Sequence, residues 1–398
     1  MLSNFVREYN INRVFLSFSG LWPFQDRLVK NVLRTFCVLL EISSYAPEIL
    51  LLCDHWDNSQ MIFDAGYQFI FTTSFVGRGL HNIWNQDRLQ QLCIAIDNHW
   101  DIFTDDLEVQ VMKNYSSLSR KFTKLFAGLL IVMLLTFVAI PLAPVLLDVI
   151  MPINESRPRI FAVEVEFRLN KEDYFIFIFG YTTAIILVGI NIVMGVDAMH
   201  IMCTAHACSL FAAVSKQIEN IISKANNNKL NKCGYLILDS VNEEIIYQEY
   251  IICLKKHQLA IEFVNILESS FQGLSLLLLL LLLANISLIG VRILYVLQIE
   301  ELIKFGLMFI LLLSDLLIVC YSGQRLIDES QNVFYRAYAA EWYNFSPRLK
   351  SLLIMTLYRS NIPCGLKAGN MIPLCIATYA AVVRIAMSYF TAFKSFKD

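Results

Sequence analysis

Long apolar runs separated by short polar connections set the pattern of this chain. A helix crossing a bilayer needs about 20 mainly apolar residues, because the hydrocarbon core is roughly 30 Å thick and a helix rises about 1.5 Å per residue. Seven segments meet or approach that length. Three are uncharged: Leu125 to Leu147, Tyr174 to Val196, and Ser269 to Val291 with its leucine run Leu276 to Leu283. Phe63 to Ile83 and Phe305 to Gly323 hold the interior charges Arg78 and Asp315, tolerable where the group snorkels or faces protein. Asn31 to Cys53 contains Arg34, Glu41 and Glu48, and Met371 to Phe393 contains Arg384. These two need partners inside a bundle, and the count is six if one of them does not cross. The pattern predicts an all-α polytopic membrane protein with seven transmembrane helices.

Composition agrees. Of 398 residues, 57% are apolar and 17% charged, and the mean hydropathy is +0.54. Lys plus Arg (32) nearly balances Asp plus Glu (34), so the basic field that binding along a nucleic-acid backbone requires is missing. The first thirty residues show no apolar core ending at a small-residue cleavage site, so the first span is expected to direct insertion itself.

Lys and Arg near span ends are retained on the cytoplasmic side. The N-terminus through Arg34 and the connections 85–124, 204–268 and 324–370 together carry 22 of them, against eight on the opposite side. The N-terminus is therefore expected inside and the C-terminus outside. Asn154-Glu155-Ser156, a glycosylation acceptor, falls in an outer connection, and all ten cysteines fall in spans or inner segments, where thiols stay reduced. The chain divides into 1–203 (N-terminal segment and spans one to four), an inner helical loop 204–268, spans five and six in 269–323, an inner helical segment 324–370, and the last span with a short outer tail in 371–398.

The inner segments are patterned to pack. Leu238, Ile245, Ile252, Leu259 and Ile266 recur every seven residues and run into the fifth span, which describes a long helix with one narrow apolar stripe. Asn226-Asn227-Asn228, followed by Gly234, reads as the turn before it. Ser346 and Pro347 open another helix whose apolar positions are Leu349, Leu352, Leu353 and Leu357. Together the two segments are expected to form a platform that joins subunits.

Catalytic patterns do not emerge. The six histidines are scattered, and there is no phosphate loop, dinucleotide fingerprint or serine nucleophile elbow. Cys203 and His206, three apart at the inner end of the fourth span, form a possible metal-ligand pair, against the simpler reading of isolated polar side chains at a membrane boundary. Asp315 and Arg384 would each cost about 2.5 to 3.5 kcal/mol at mid-membrane, so an ion pair between them is a natural expectation. No enzyme activity, cofactor or metal is called for.

From Tyr321 onward the chain carries Gln324, Glu329-Ser330, Tyr338, Trp342-Tyr343, Arg359, Pro363 and Ser388-Tyr389-Phe390-Thr391 in that order. Over about a fifth of the chain this resembles the C-terminal signature of insect odorant receptors. The resemblance implies a subunit of an odorant-gated, non-selective cation channel in the plasma membrane of sensory neuron dendrites, assembled with the shared odorant co-receptor as a heterotetramer. The last helices line the pore, the ligand is a small volatile molecule, and membrane lipid surrounds the bundle. By matching the stretch after Ser388-Tyr389-Phe390, the outer gate falls on Ala392, Ser395 and Phe396, although an aliphatic residue is more usual where Phe396 stands. The family's pocket lies in the outer half of the bundle. By depth it falls near Tyr67, Phe71, Phe75, Phe137, Phe177, Tyr181, Met308 and Leu312, for which ordinary bundle packing is the competing reading. A volatile burying roughly 300 Å² gains at most about 7.5 kcal/mol, so modest affinity is expected.

A gustatory receptor of the same superfamily would continue Thr378-Tyr379 with five apolar residues and Gln-Phe, where this chain has AAVVRIAMSYF. The co-receptor carries a longer inner loop than 204–268, which points to an odorant-tuning subunit. A seven-helix G-protein-coupled receptor would require the opposite orientation, and a transporter would show paired inverted repeats.

Overall fold

The computed structural model describes residues 2–151, 157, 159–230, 236–296 and 298–395. Eleven α-helices dominate them: α1 (Ser3–Phe18), α2 (Arg27–Ser43), α3 (Tyr45–Asp54), α4 (Ser59–Trp84), α5 (Gln86–Ile102), α6 (Asp106–Ile150), α7 (Phe175–Leu230), α8 (Leu236–Tyr295), α9 (Ile299–Tyr338), α10 (Pro347–Ser360) and α11 (Ile376–Ser395). Five stretches are long and apolar enough to cross a bilayer: Arg27–Asp54, Asp106–Ile150, Phe175–Lys224, Glu243–Tyr295 and Ile299–Tyr338. The other two expected spans correspond to α4, diluted by Asp64, Gln68 and Arg78, and to α11. The fold is an all-helical, multi-pass membrane bundle.

Local chemistry sets several boundaries. Asp26 caps α2 by accepting from the amides of Leu28 and Val29, and Asn58 caps α4 through Gln60. The first span is broken into α2 and α3 at Ser44. Pro47 has no amide hydrogen to return to the carbonyl four residues earlier, and Ser44 Oγ turns back onto the Glu41 carbonyl at 2.8 Å. As expected, Ser346 caps α10 with Pro347 in its first turn.

At 56 and 60 residues, α7 and α8 reach about 84 and 90 Å, far beyond one hydrocarbon thickness. Their extensions, with those of α6 and α9 and with α1, α5 and α10, build a second packed layer, here called the base. Helix α7 is the spine, packing on α1, α4, α6, α8 and α9, and it is almost continuously buried from Ile192 to Val214.

Three expectations about elements are corrected. Helix α7 runs through Asn226, Asn227 and Asn228 to Leu230, so the turn does not begin there; Gly234 and the acceptor Asn154-Glu155-Ser156 lie outside the described residues. The seven-residue stripe is not the buried face of α8: Ile245 and Ile252 are 50% and 49% exposed. The buried face is Ile246, Tyr250, Cys253, His257, Ala260, Val264 and Leu267. It keeps alternating four- and three-residue steps but is built from mixed residue types. The last span starts at Ile376 rather than Met371, because residues 367–373 form a small antiparallel hairpin, β1 (Lys367–Ala368) with β2 (Ile372–Pro373). Gly369 and Asn370 at its tip take left-handed φ values of 59° and 61°. The hairpin leans on α8 through Gly369 N to Gln272 O at 2.9 Å. It also leans on α9 at Gly323, where a Cβ would collide with the Leu374 carbonyl.

Candidate functional site

Three membrane helices bring charge to the middle of the bundle. Arg78 on α4 donates from Nε and Nη2 to the two carboxylate oxygens of Asp197 on α7, at 3.1 and 3.0 Å. Its Nη2 also reaches Asp315 on α9 at 3.3 Å, and its Nη1 bonds Ser74 one turn away. All four residues are buried. A two-pronged guanidinium–carboxylate contact is the geometry that best offsets the cost of taking both ions out of water. Arg384 is exposed on α11 and Asp315 belongs to Arg78, so the expected Asp315–Arg384 pair is not formed. Asp197, one residue past the uncharged fourth span, was the missing partner.

Two cavities flank this cluster. The first, about 40 Å³, lies between Arg78, Asp197, His200, Phe271 and Leu316 and is closed by Leu374, just before α11. The second, about 50 Å³, lies between α4, α6, α7, α8 and α9. Its walls are apolar, with Phe71, Phe75, Phe126, Leu130, Ile190 and Leu312 among them, and its polar end carries Ser74, Arg78, Asp315 and Asn285. That volume holds a few waters, so a volatile enters only as side chains swing. A third, wider groove of about 360 Å³ opens sideways between α6, α7 and α9, lined by Phe122, Leu125, Leu129, Leu317 and Tyr321 with Arg325 at its foot.

Of the eight expected pocket residues the structure places three on the second cavity and a fourth, Tyr67, against one of them. Phe71, Phe75 and Leu312 line the second cavity. Tyr67 stands edge-on to Phe71 (6.4 Å between centroids) and to Phe305 (5.6 Å), and Tyr67, Phe137 and Met308 are buried in the core that also takes in Phe71 and Leu312. Phe177 is not brought in: it is 81% exposed on the outer face of α7. Tyr181 turns toward α2, its hydroxyl 2.8 Å from Ser43 Oγ and its ring against Phe167. One helical turn along α7 changes the direction by a full circle, and depth alone does not choose the facing residue. None of the eight expected residues lies on α8, whose Leu278, Leu281, Leu282 and Asn285 line the cavity. The available signal was Asn285, a lone amide closing a leucine run.

Two of the three expected gate residues sit at the far end of α11. Ala392 is exposed in its last turns and Ser395 ends the helix, whereas Phe396 lies outside the described residues. Val382 and Ala386 bury one side of α11, and the other presents Arg384, Ile385, Ser388 and Tyr389.

The signature residues clasp the fold. Ser330 Oγ accepts from Cys364 N at 2.9 Å and donates to Cys364 O at 3.2 Å, fixing the hairpin segment to α9. Glu329 accepts from Tyr115 (2.7 Å) and Arg325 (2.8 Å). His206 does not join Cys203 in a ligand set: it stacks on His99 with Nδ1 of His99 and Nε2 of His206 3.1 Å apart. Among the described residues no group of three metal-ligating side chains forms. Burial pushes the His99 imidazole down to about 4 and His206 well below its ordinary range, so both are neutral near pH 7.

Comparison with known proteins places this architecture. The family model described as 7tm Odorant receptor matches residues 59–387. Odorant receptor 67a of Drosophila melanogaster is 32% identical over 110 residues, covering 28% of this chain and 27% of that protein. Odorant receptor Or2 of Anopheles gambiae is 24% identical over 189 residues, covering 46% and 48%. The aligned stretches thus span from about a quarter to about half of these relatives' lengths. The olfactory receptor OR5 of Machilis hrabei, solved in complex with eugenol, superposes with a TM-score of 0.79 at 12% identity over 99% of this chain and 100% of that one. A second structure of the same receptor superposes with a TM-score of 0.77 at 13% identity, covering 98% of each chain. With the family model covering most of its length and the fold shared end to end, this chain belongs to the 7tm odorant receptor family.

Proposed function

We propose that this odorant receptor is the ligand-tuning subunit of an odorant-gated, non-selective cation channel, formed with the odorant co-receptor as a heterotetramer in the plasma membrane. A small, mainly apolar volatile occupies the cavity between α4, α6, α7, α8 and α9. The supporting observation is the placement of that cavity. It shares Arg78 and Asp315 with the first cavity, which is closed by Leu374 at the foot of α11. Expansion of one side therefore presses through the ion cluster on the helix proposed to line the pore, with Ala392, Ser395 and Phe396 as its gate. The N-terminus lies inside and the C-terminus outside, which puts the base, including segments 204–268 and 324–370, in the cytoplasm as the subunit-joining platform. The exposed apolar residues there, Ile245, Ile252, Ile354, Met355 and Tyr358, are suited to a partner. Lipid covers the remaining apolar outer surface.

The test is current recording from cells expressing this chain with and without the co-receptor, against an odorant panel. Odorant-dependent cation current only with both chains supports the assignment. Substitutions at Phe71, Phe75 and Leu312 should reorder the active odorants, and polar replacement of Ala392, Ser395 and Phe396 should alter permeation. Current unchanged by any of them overturns the placement. Epitope tags reached from the same face at both ends overturn the topology.

A further inference from the structure

The proposed odorant cavity has one polar group with nothing to do. Asn285 is 2% exposed, lines the cavity, and makes no side-chain hydrogen bond among the described residues, its Oδ1 being a buried acceptor without a partner. The neighbouring polar groups are committed, since Ser74 and Asp315 both bond Arg78. Leu278, Leu281 and Leu282, the preceding residues of α8 on this wall, offer the amide no bond. A buried amide left unpaired is costly, and water satisfies such a group only until a ligand displaces it.

We propose that Asn285 anchors a hydroxyl-bearing odorant, an alcohol or a phenol. The ligand O–H donates to Asn285 Oδ1 and its oxygen accepts from Nδ2, while the carbon skeleton lies against Phe71, Phe75, Leu130 and Leu312. This rests on the cavity being the odorant site. A hydroxyl serves both ends of the amide. An ether or ketone only accepts, and a hydrocarbon displaces water without replacing either bond, so each leaves a buried polar atom unpaired. An anionic ligand is disfavoured, because two carboxylates face one guanidinium at this end.

The experiment records currents from the full chain co-expressed with the co-receptor. The probes are matched sets: hexanol, hexyl methyl ether and hexane, then benzyl alcohol, benzyl methyl ether and toluene. In the unsubstituted receptor an alcohol should have the lowest half-maximal concentration of its set. Asn285→Leu should raise that value about fivefold to tenfold, shift the ether less, and lower the value for the hydrocarbon, which no longer strands the amide. Asn285→Ala serves the same comparison if the larger variant does not reach the surface. Leu130→Trp, which fills the cavity, should weaken every ligand. No preference for alcohols in the unsubstituted receptor, or equal shifts for alcohol and ether in the Asn285 variants, overturns the anchor and leaves the cavity standing. Leu130→Trp without effect on any ligand overturns the cavity reading itself.

Discussion

The base and the membrane half of the bundle differ in how fully their buried carboxylates are paired. In the base the carboxylates of Glu8, Glu108 and Glu329 all have partners, although Trp100 Nε1, Thr123 Oγ1, Ser215 Oγ and His206 Nδ1 have none among the described residues. Lys256 Nζ reaches both oxygens of Glu108 at 2.7 and 2.6 Å, and Arg120 with Ser116 holds Glu8. His99 stacks on His206, and Tyr250 meets Thr356 at 2.9 Å. In the membrane half, Asn285 Oδ1, Gln68 Oε1 and both carboxylate oxygens of Glu41 are buried with no hydrogen-bond partner, and the two small cavities lie beside the ion cluster. Paired carboxylates fix one packing, whereas unpaired ones and voids beside a charge cluster leave alternative packings close in energy. The base is packed to hold its shape, and the voids leave the membrane half room to repack, as the proposed gating requires.

The contrast is sharpest at Lys256. Lys256→Met leaves the Glu108 carboxylate buried and uncompensated, and should cost about 3 kcal/mol, read as a lower melting temperature in detergent and reduced surface expression. Adding Glu108→Met should recover much of the loss, and a double variant as damaged as the single one would break the comparison.

Acid should strike the base next. His99 and His257 are pushed down to about 4 by burial, below the unfolded value of about 6.5. Between those values the unfolded chain binds protons that the folded chain refuses, so stability is intact above about pH 6.5 and falls as pH drops toward 4. From pH 7 to 5 the loss is about 2 kcal/mol for each histidine, and His99→Gln should flatten the melting-temperature profile over that range.

Gly189 on α7 probes the other half. A Cβ there would stand 2.6 Å from the Phe75 ring, which walls the proposed odorant cavity. Gly189→Ala should displace that ring and reorder odorant potencies by several fold, with little change in melting temperature. A large loss of stability with the odorant ranking preserved would show that this half is as rigid as the base. The smallest effect belongs to Arg168, whose bidentate contact with Asp54 at 2.7 and 2.9 Å is exposed to solvent. Arg168→Ala should leave melting and odorant ranking unchanged.

Hydropathy located the seven helical stretches because crossing a bilayer is a demand that each segment meets alone. The signature after Tyr321 was legible for the same reason, since Ser346, Pro347 and the Ser330 clasp act over short distances or at fixed spacing. Reading failed where direction mattered. The stripe of Ile245 and Ile252 looked like the packing face of α8, yet the helix buries Tyr250, Cys253, His257 and Ala260 instead. Those polar and small residues count little in hydropathy but fit against α7 and α10. Phe177 and Tyr181 had the right depth and the wrong azimuth for the same reason.

The sequence by itself determined that this is a helical membrane protein, where its long helices run, and which family it resembles, because apolar length and short motifs are local properties that survive without knowing the partners. The tertiary structure decided what the polar residues do. Arg78 meets Asp197 and Asp315 across 119 and 237 residues of chain, Arg384 is left outside that cluster, and Asn285 is turned into a cavity without a partner. A charge inside a bilayer must find its counterpart, and only the packed arrangement of helices says which one is within reach.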